Sequence, residues 1–200
     1  MRIGVLGGTF DPIHLGHVQV ADQVAEAIGL DQVLFVPAGQ PWMKSQPRAD
    51  AVDRMAMVKA AIGRDPRFTA SGVDLDRPGP TYAVDTLSDL RHAFSVEHPG
   101  EQASWYFIAG ADALADFMRW HQPERVLAMA HLIGVTRPGH RLDSPGVPQE
   151  HLTLLQVDSM DVSSTTIRAM VREGASIQGL VDPLVEDYIA RHGLYRDSAP

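Results

Sequence analysis

Cysteine is absent from the 200 residues, which excludes disulfides, a thiolate nucleophile, iron–sulfur clusters and cysteine-ligated zinc, and fits a reducing cytoplasm. Long apolar runs are missing too. None approaches the roughly 20 residues needed to span a bilayer, so no membrane partner is expected. The stretch Ile3–Leu6 behind Arg2 is broken by Gly7-Gly8 and Asp11-Pro12 before a signal-peptide core could form, and it reads as a first strand. Positive charge is scarce: 17 Lys and Arg stand against 25 Asp and Glu, a net −8. Such a surface repels nucleic acid and acidic membranes, so neither is an expected partner. Any phosphate must be held locally, by a few placed cations, backbone amides and a divalent ion.

What is present is an alternation of short apolar runs with longer amphipathic ones. Ile3–Leu6, Gln32–Val36, Trp105–Ala109, Leu132–Val135 and Leu152–Val157 read as strands, with Phe68–Val73 a weaker candidate. Leu15–Ile28, Ala51–Ile62, Val84–Val96, Ser163–Glu173 and Pro183–Arg191 read as helices. The alternation predicts an α/β fold with a doubly wound, Rossmann-like parallel sheet and helices on both faces. The length suits a single domain over 1–200, with a small helical C-terminal part at about 160–195. Two stretches lack any period: 37–50 carries three prolines and a glycine, and 137–150 three prolines and two glycines. Connections that long are more often functional than inert.

The densest signal is Gly7-Gly8-Thr9-Phe10-Asp11-Pro12-Ile13-His14-Leu15-Gly16-His17, running from a strand through two glycines to a helix start. Glycines there let a phosphate approach the main chain, and a helix N-terminus offers unpaired N–H groups and partial positive charge. His14 and His17, three apart, project from one face of the first turn. Gly16 between them leaves that face low. Histidines at this spacing also serve as caps or as part of a metal site, but zinc needs further ligands that the sequence does not show. The remaining histidines, His92, His98, His121, His131, His140, His151 and His192, have no ligand spacing and read as surface or packing residues.

The stretch Gly7–His17 resembles the signature of the adenylyltransferase branch of the nucleotidyltransferase superfamily, whose hallmark is His-x-Gly-His or Thr-x-Gly-His. Over essentially its whole length the chain is similar to the bacterial nicotinate-nucleotide adenylyltransferases. Further segments carry the likeness: Pro37 to Lys44, Thr81-Tyr82-Ala83-Val84-Asp85-Thr86, Phe107 to Asp112 continuing to Trp120, and Val162-Ser163-Ser164-Thr165 to Arg168. Three departures from the pattern stand out: Trp42-Met43-Lys44 replaces the usual Pro-His-Lys, Ala83 a common threonine, and Val162 a common isoleucine.

The resemblance implies in-line attack by the 5′-phosphate of nicotinate mononucleotide on the α-phosphorus of ATP, with Mg²⁺-bound pyrophosphate as the leaving group. The chemistry then needs positioning and charge stabilisation rather than a general base. It implies that His14 and His17 meet the ATP phosphates, with Gly8, Thr9 and Phe10 supplying donors nearby. Lys44 and Arg168 would neutralise the β- and γ-phosphates. Ser163, Ser164 and Thr165 open a helix where free amides favour an anion, and also suit simple capping. Asp112 would orient a ribose hydroxyl or cap the next helix. Thr81, Tyr82, Ala83 and Trp120 would receive the pyridine nucleotide. Mg²⁺ would come with ATP rather than sit on protein ligands, and the sequence leaves the oligomeric state open, a homo-oligomer included. A sister adenylyl- or cytidylyltransferase with another phosphate acceptor, such as phosphopantetheine, and a catalytically silent nucleotide-binding module are the competing readings.

Overall fold

The computed structural model describes residues 1–42, 46–136 and 146–196. Strand β1 (Arg2–Gly8) leads into helix α1 (Leu15–Ile28) and strand β2 (Gln32–Pro37). A short strand β3 (Gln40–Pro41), helix α2 (Ala51–Ile62) and strand β4 (Phe68–Ala70) follow, then helix α3 (Val73–Asp76), strand β5 (Pro80–Thr81) and helix α4 (Ala83–Glu97). The second half runs β6 (Ser104–Gly110), α5 (Ala111–Ala115), α6 (Pro123–Met129), β7 (His131–Thr136), β8 (Leu152–Gln156), α7 (Ser164–Arg172) and α8 (Pro183–His192).

Six strands form one sheet in the order β4-β2-β1-β6-β7-β8, every pair parallel. The chain winds outward from β1 to β4, then returns to the other side of β1 to begin β6. The order therefore reverses between β1 and β6, and the crevice at their carboxyl ends is where open sheets of this kind bind ligands. A second, two-stranded sheet pairs Gln40 with Pro80 and Pro41 with Thr81.

The strand period of two sorts the apolar residues onto two faces. Ile3, Val5, Trp105, Phe107 and Leu132 pack with α4, α5 and α6 through Val84, Leu87, Leu90, Leu114 and Val126. Leu6, Ile108, Ile133 and Val135 face the other way, onto α1, α2, α7 and α8 through Val24, Met57, Ile167 and Val185. Local chemistry ends the helices as expected. Gly29 closes α1 at φ 70 with its N–H on the last carbonyls, Asp50 caps α2 by accepting from Asp53 N–H, and Asp182 with Pro183 starts α8.

The differences from the sequence reading are local. The weak strand Phe68–Val73 stops at Ala70, and Val73 already belongs to α3. Ser163 is the cap of α7 rather than its first residue. The short elements β3, β5, α3, α5 and α6 are shorter than the windows in which a period can be read. Stretch 37–50 holds β3, and much of 137–150 lies outside the described residues.

Candidate active site

Gly7 and Gly8 are the last two residues of β1, in ordinary extended pairing with Val36 and Pro37. The left-handed residue of the turn is Phe10, at φ 48. The unusual backbone of the turn thus belongs to Phe10 and not to the glycines. Gly8 instead makes room: a Cβ there would stand 2.9 Å from the Phe10 ring, which is 2 % exposed and packs edge-on against His17 at 5.1 Å. Phe10 thus props the second histidine from beneath.

His14 is the N-cap of α1, and its backbone N–H donates to His17 Nδ1 at 3.2 Å. The two rings stack at 3.6 Å. Because Nδ1 of His17 accepts, the neutral ring carries its proton on Nε2. Gly16 does more than lower the face. A Cβ at Gly16 would lie 3.1 Å from His14 Nδ1 and 3.2 Å from the Met160 carbonyl, so the bare backbone lets the segment before α7 close on the histidine pair.

That segment brings further residues to the same cleft as the histidine pair. Ser163 Oγ accepts from Thr166 N–H at 3.0 Å, capping α7, and Ser164 Oγ donates to the Pro12 carbonyl at 2.9 Å. Arg168 donates to the Asp11 carbonyl at 2.7 Å and to Thr165 Oγ1 at 3.3 Å. Ser164 and Arg168 therefore tie α7 to the turn after β1, while Ser163 caps the helix and Thr165 receives Arg168. Arg168, Ser163, Ser164, Thr165, His14 and His17 all line one cleft of about 1280 Å³.

The same cleft reaches Thr81, Ala83 and Trp120. Thr81 Oγ1 accepts from Gly39 N–H at 3.0 Å, which joins the loop after β2 to the head of α4. Tyr82 is the N-cap of α4, and its ring lies against Trp42 at 5.6 Å and His121 at 4.4 Å. Trp120 is wedged between Phe107 and Phe117 at 5.6 and 5.2 Å, and its Nε1 donates to the Ala113 carbonyl at 3.2 Å. Beneath this end Asp74, 3 % exposed, accepts from Thr86 Oγ1 at 2.8 Å and Arg77 at 2.6 Å. Burial pushes its carboxyl above the ordinary range. Gly110 caps α5, so Asp112 lies inside that helix rather than at its cap. Lys44 and the side chain of Asp112 lie outside the described residues.

Residues that the sequence reading passed over complete the site. His121 lines the cleft beside Tyr82 rather than standing on a remote surface, as its position next to Trp120 could have signalled. Arg48, on the proline-rich loop, adds a cation to the phosphate end. Asp11, 3 % exposed, accepts from the N–H groups of Arg48 and Ala49 at 2.7 and 3.0 Å. Arg54, 2 % exposed, donates to the carbonyls of Thr9 and Ala38 at 2.9 and 2.7 Å, bridging the turns after β1 and β2. On an amphipathic helix Arg54 looks like any solvated arginine, and burial lowers its pKa.

The chain is similar to known proteins over most of its length. The Cytidylyltransferase-like family model matches residues 5–170. A protein of Acidothermus cellulolyticus named "probable nicotinate-nucleotide adenylyltransferase" is 49% identical over 197 residues, 98% of this chain and 94% of its own length. Its namesakes in Saccharopolyspora erythraea and Salinispora arenicola are 46% and 47% identical over 98% and 96% of this chain, and 90% and 100% of their own lengths. Among solved structures, the nicotinic acid mononucleotide adenylyltransferase of Plasmodium falciparum complexed with NaAD superposes with a TM-score of 0.75 at 22% identity, over 97% of each chain. That last likeness is one of fold.

Proposed function

Because this chain belongs to the Cytidylyltransferase-like family and, within it, to the nicotinate-nucleotide adenylyltransferases, we propose that it transfers AMP from ATP to nicotinate mononucleotide, forming deamido-NAD and pyrophosphate in NAD biosynthesis. The observation that carries this reading is a single cleft with two unlike ends. One end gathers His14, His17, Arg48 and Arg168, and the other presents Trp120, Thr81 and Ala83 at the head of α4. A nucleoside triphosphate and a flat aromatic nucleotide fit the two ends, and their reacting phosphates meet between them.

In this mechanism an oxygen of the acceptor's 5′-phosphate attacks the α-phosphorus of ATP. The P–O bond to the β-phosphate breaks, and its electron pair leaves on pyrophosphate. The attacking phosphate is already ionised near neutral pH, so no side chain has to remove a proton. The protein's work is positioning and electrostatic stabilisation. His17, with Nε2 as its ring donor, meets charge developing on the α-phosphate. His14 and Arg168 hold the ATP phosphates, with Lys44 assigned to the β- and γ-phosphates from its place in the family pattern. The main chain of Gly8 and Thr9 borders the same end of the cleft with Phe10 beneath it, Ser163, Ser164 and Thr165 shape that end, and Asp112 is assigned to the adenosine.

The donor set favours a metal that arrives with its nucleotide. The phosphate end gathers His14, His17, Arg48 and Arg168, a set that suits an anion more than a bare cation. Mg²⁺ therefore enters as part of the ATP substrate, where it offsets phosphate charge. The reading is tested by mixing the chain with ATP and Mg²⁺ and offering acceptors singly. Deamido-NAD and pyrophosphate are expected with nicotinate mononucleotide. Product only with CTP, or only with another phosphate such as phosphopantetheine, would replace it with a sister transferase, and binding without turnover with a nucleotide-binding module.

A further inference from the structure

Tyr195 follows α8 at φ 64, a left-handed conformation that bulky side chains seldom adopt. Its hydroxyl reaches back across the molecule to donate to Asp11 Oδ1 at 2.9 Å. Burial, with the Asp11 charge second, pushes the phenol well above its ordinary range, so it stays a protonated donor. Tyr195 does not line the cleft, but Asp11, Arg48 and Arg168 do.

The geometry at Asp11 is selective. Its Oδ1 accepts from Tyr195 and from Ala49 N–H, and its Oδ2 from Arg48 N–H at 2.7 Å. Arg168 lies 3.8 Å from Oδ2 yet makes its direct hydrogen bond, at 2.7 Å, to the neutral main-chain carbonyl of the same residue. The carboxylate thus forms a long ion pair with Arg168, beyond hydrogen-bond distance of the guanidinium. A carboxylate drawn fully onto that guanidinium would compete with any phosphate for its fork of donors.

We propose that Tyr195 is a positioning residue for the triphosphate end of the cleft: its bond to Asp11 restrains the carboxylate and keeps the charge of Arg168 available to ATP. The inference rests on reading that end as the ATP site. The segment that closes the fold thereby sets the electrostatics of a site built by its first turn.

The test removes only the hydroxyl. A hydrogen bond to a charged group is strong enough that Tyr195→Phe should weaken MgATP binding about tenfold. Binding of nicotinate mononucleotide should be unchanged, with both affinities measured calorimetrically on the full chain. Because the effect passes through Arg168, adding Tyr195→Phe to Arg168→Ala should weaken ATP binding no further. A merely structural tyrosine would instead give additive losses at both ends of the cleft. Tyr195→Leu supplies a second test if Tyr195→Phe does not fold. It too removes the hydroxyl, so MgATP binding should again weaken about tenfold with nicotinate mononucleotide binding unchanged, and equal losses for both ligands would overturn the role. A parent chain that binds no MgATP would overturn the ATP reading itself, whereas equal affinities for the parent and Tyr195→Phe would overturn the positioning role alone.

Discussion

His17 Nδ1 accepts the backbone N–H of His14 at 3.2 Å, so the cap of α1 also sets the tautomer of the second histidine. The bond makes Nε2 the ring donor before any ligand arrives. A donor organised in advance acts mainly on charge that develops during reaction. His17→Ala is therefore expected to lower kcat by about 10²–10³ while leaving ATP affinity largely intact. Steady-state kinetics beside calorimetric ATP titration separates the two, and near-normal turnover would remove His17 from the reacting centre.

Gly16 gives a prediction in which helix propensity and packing oppose each other. Alanine is the better helix former by about 0.8–1.0 kcal/mol, so propensity alone would make Gly16→Ala stabilising. The added Cβ would stand 3.2 Å from the Met160 carbonyl and 3.1 Å from His14 Nδ1. A backbone oxygen yields less readily than a flexible side chain. The variant should melt no higher than its parent and lose at least about tenfold in kcat/KM, since small displacements of positioned groups are costly. A higher melting point with full activity would show that the α7 segment can retreat.

Arg54→Met keeps most of the buried volume but removes the donor to the Thr9 and Ala38 carbonyls. Each acceptor left unsatisfied costs about 1–3 kcal/mol. The expected loss is about 2–4 kcal/mol in denaturant unfolding, at the lower part of the two-carbonyl range because water can reach a cleft edge. A change below about 0.5 kcal/mol, the level of an ordinary surface substitution, would mean that Arg54 is dispensable for bridging the two turns.

The head of α4 predicts the choice between the acid and amide forms of the acceptor. Thr81 and Ala83 line the cleft there, and the first-turn N–H groups of a helix lack partners within it. An anion near such an end gains about 0.3–1 kcal/mol, or up to ~2 kcal/mol when partly buried. Ala83 has no hydroxyl to contribute, and Asp85 in the same turn opposes an anion, so the main chain carries the discrimination. The kcat/KM for nicotinate mononucleotide should exceed that for nicotinamide mononucleotide by about tenfold at saturating ATP, near the upper part of that range. Equal values would displace the carboxylate from this helix end.

Much of this molecule is legible in its sequence because period and punctuation are local properties. The core strands alternate faces, the long helices start at Asp50, Ser163 and Asp182, and the Gly7–His17 stretch announces an anion site. The resemblance to a family supplied the acceptor end, which periodicity could not. Elements such as α3 and α6 stayed hidden because they span no more than about two turns. Their presence depends on what they pack against.

The sequence by itself determined the α/β alternation, the strand–turn–helix start of the chain and the identity of the residues proposed to hold phosphate, since these follow from side-chain chemistry and near-neighbour spacing. Only the tertiary structure decided what those residues do to one another. It buried Arg54 between two turns, turned Gly16 into a point of close approach, brought His121 beside Tyr82, and joined Asp11 to Tyr195 across 184 positions. Such contacts arise when parallel strands bring the carboxyl ends of distant segments to one edge, and no local pattern records which partners will meet there.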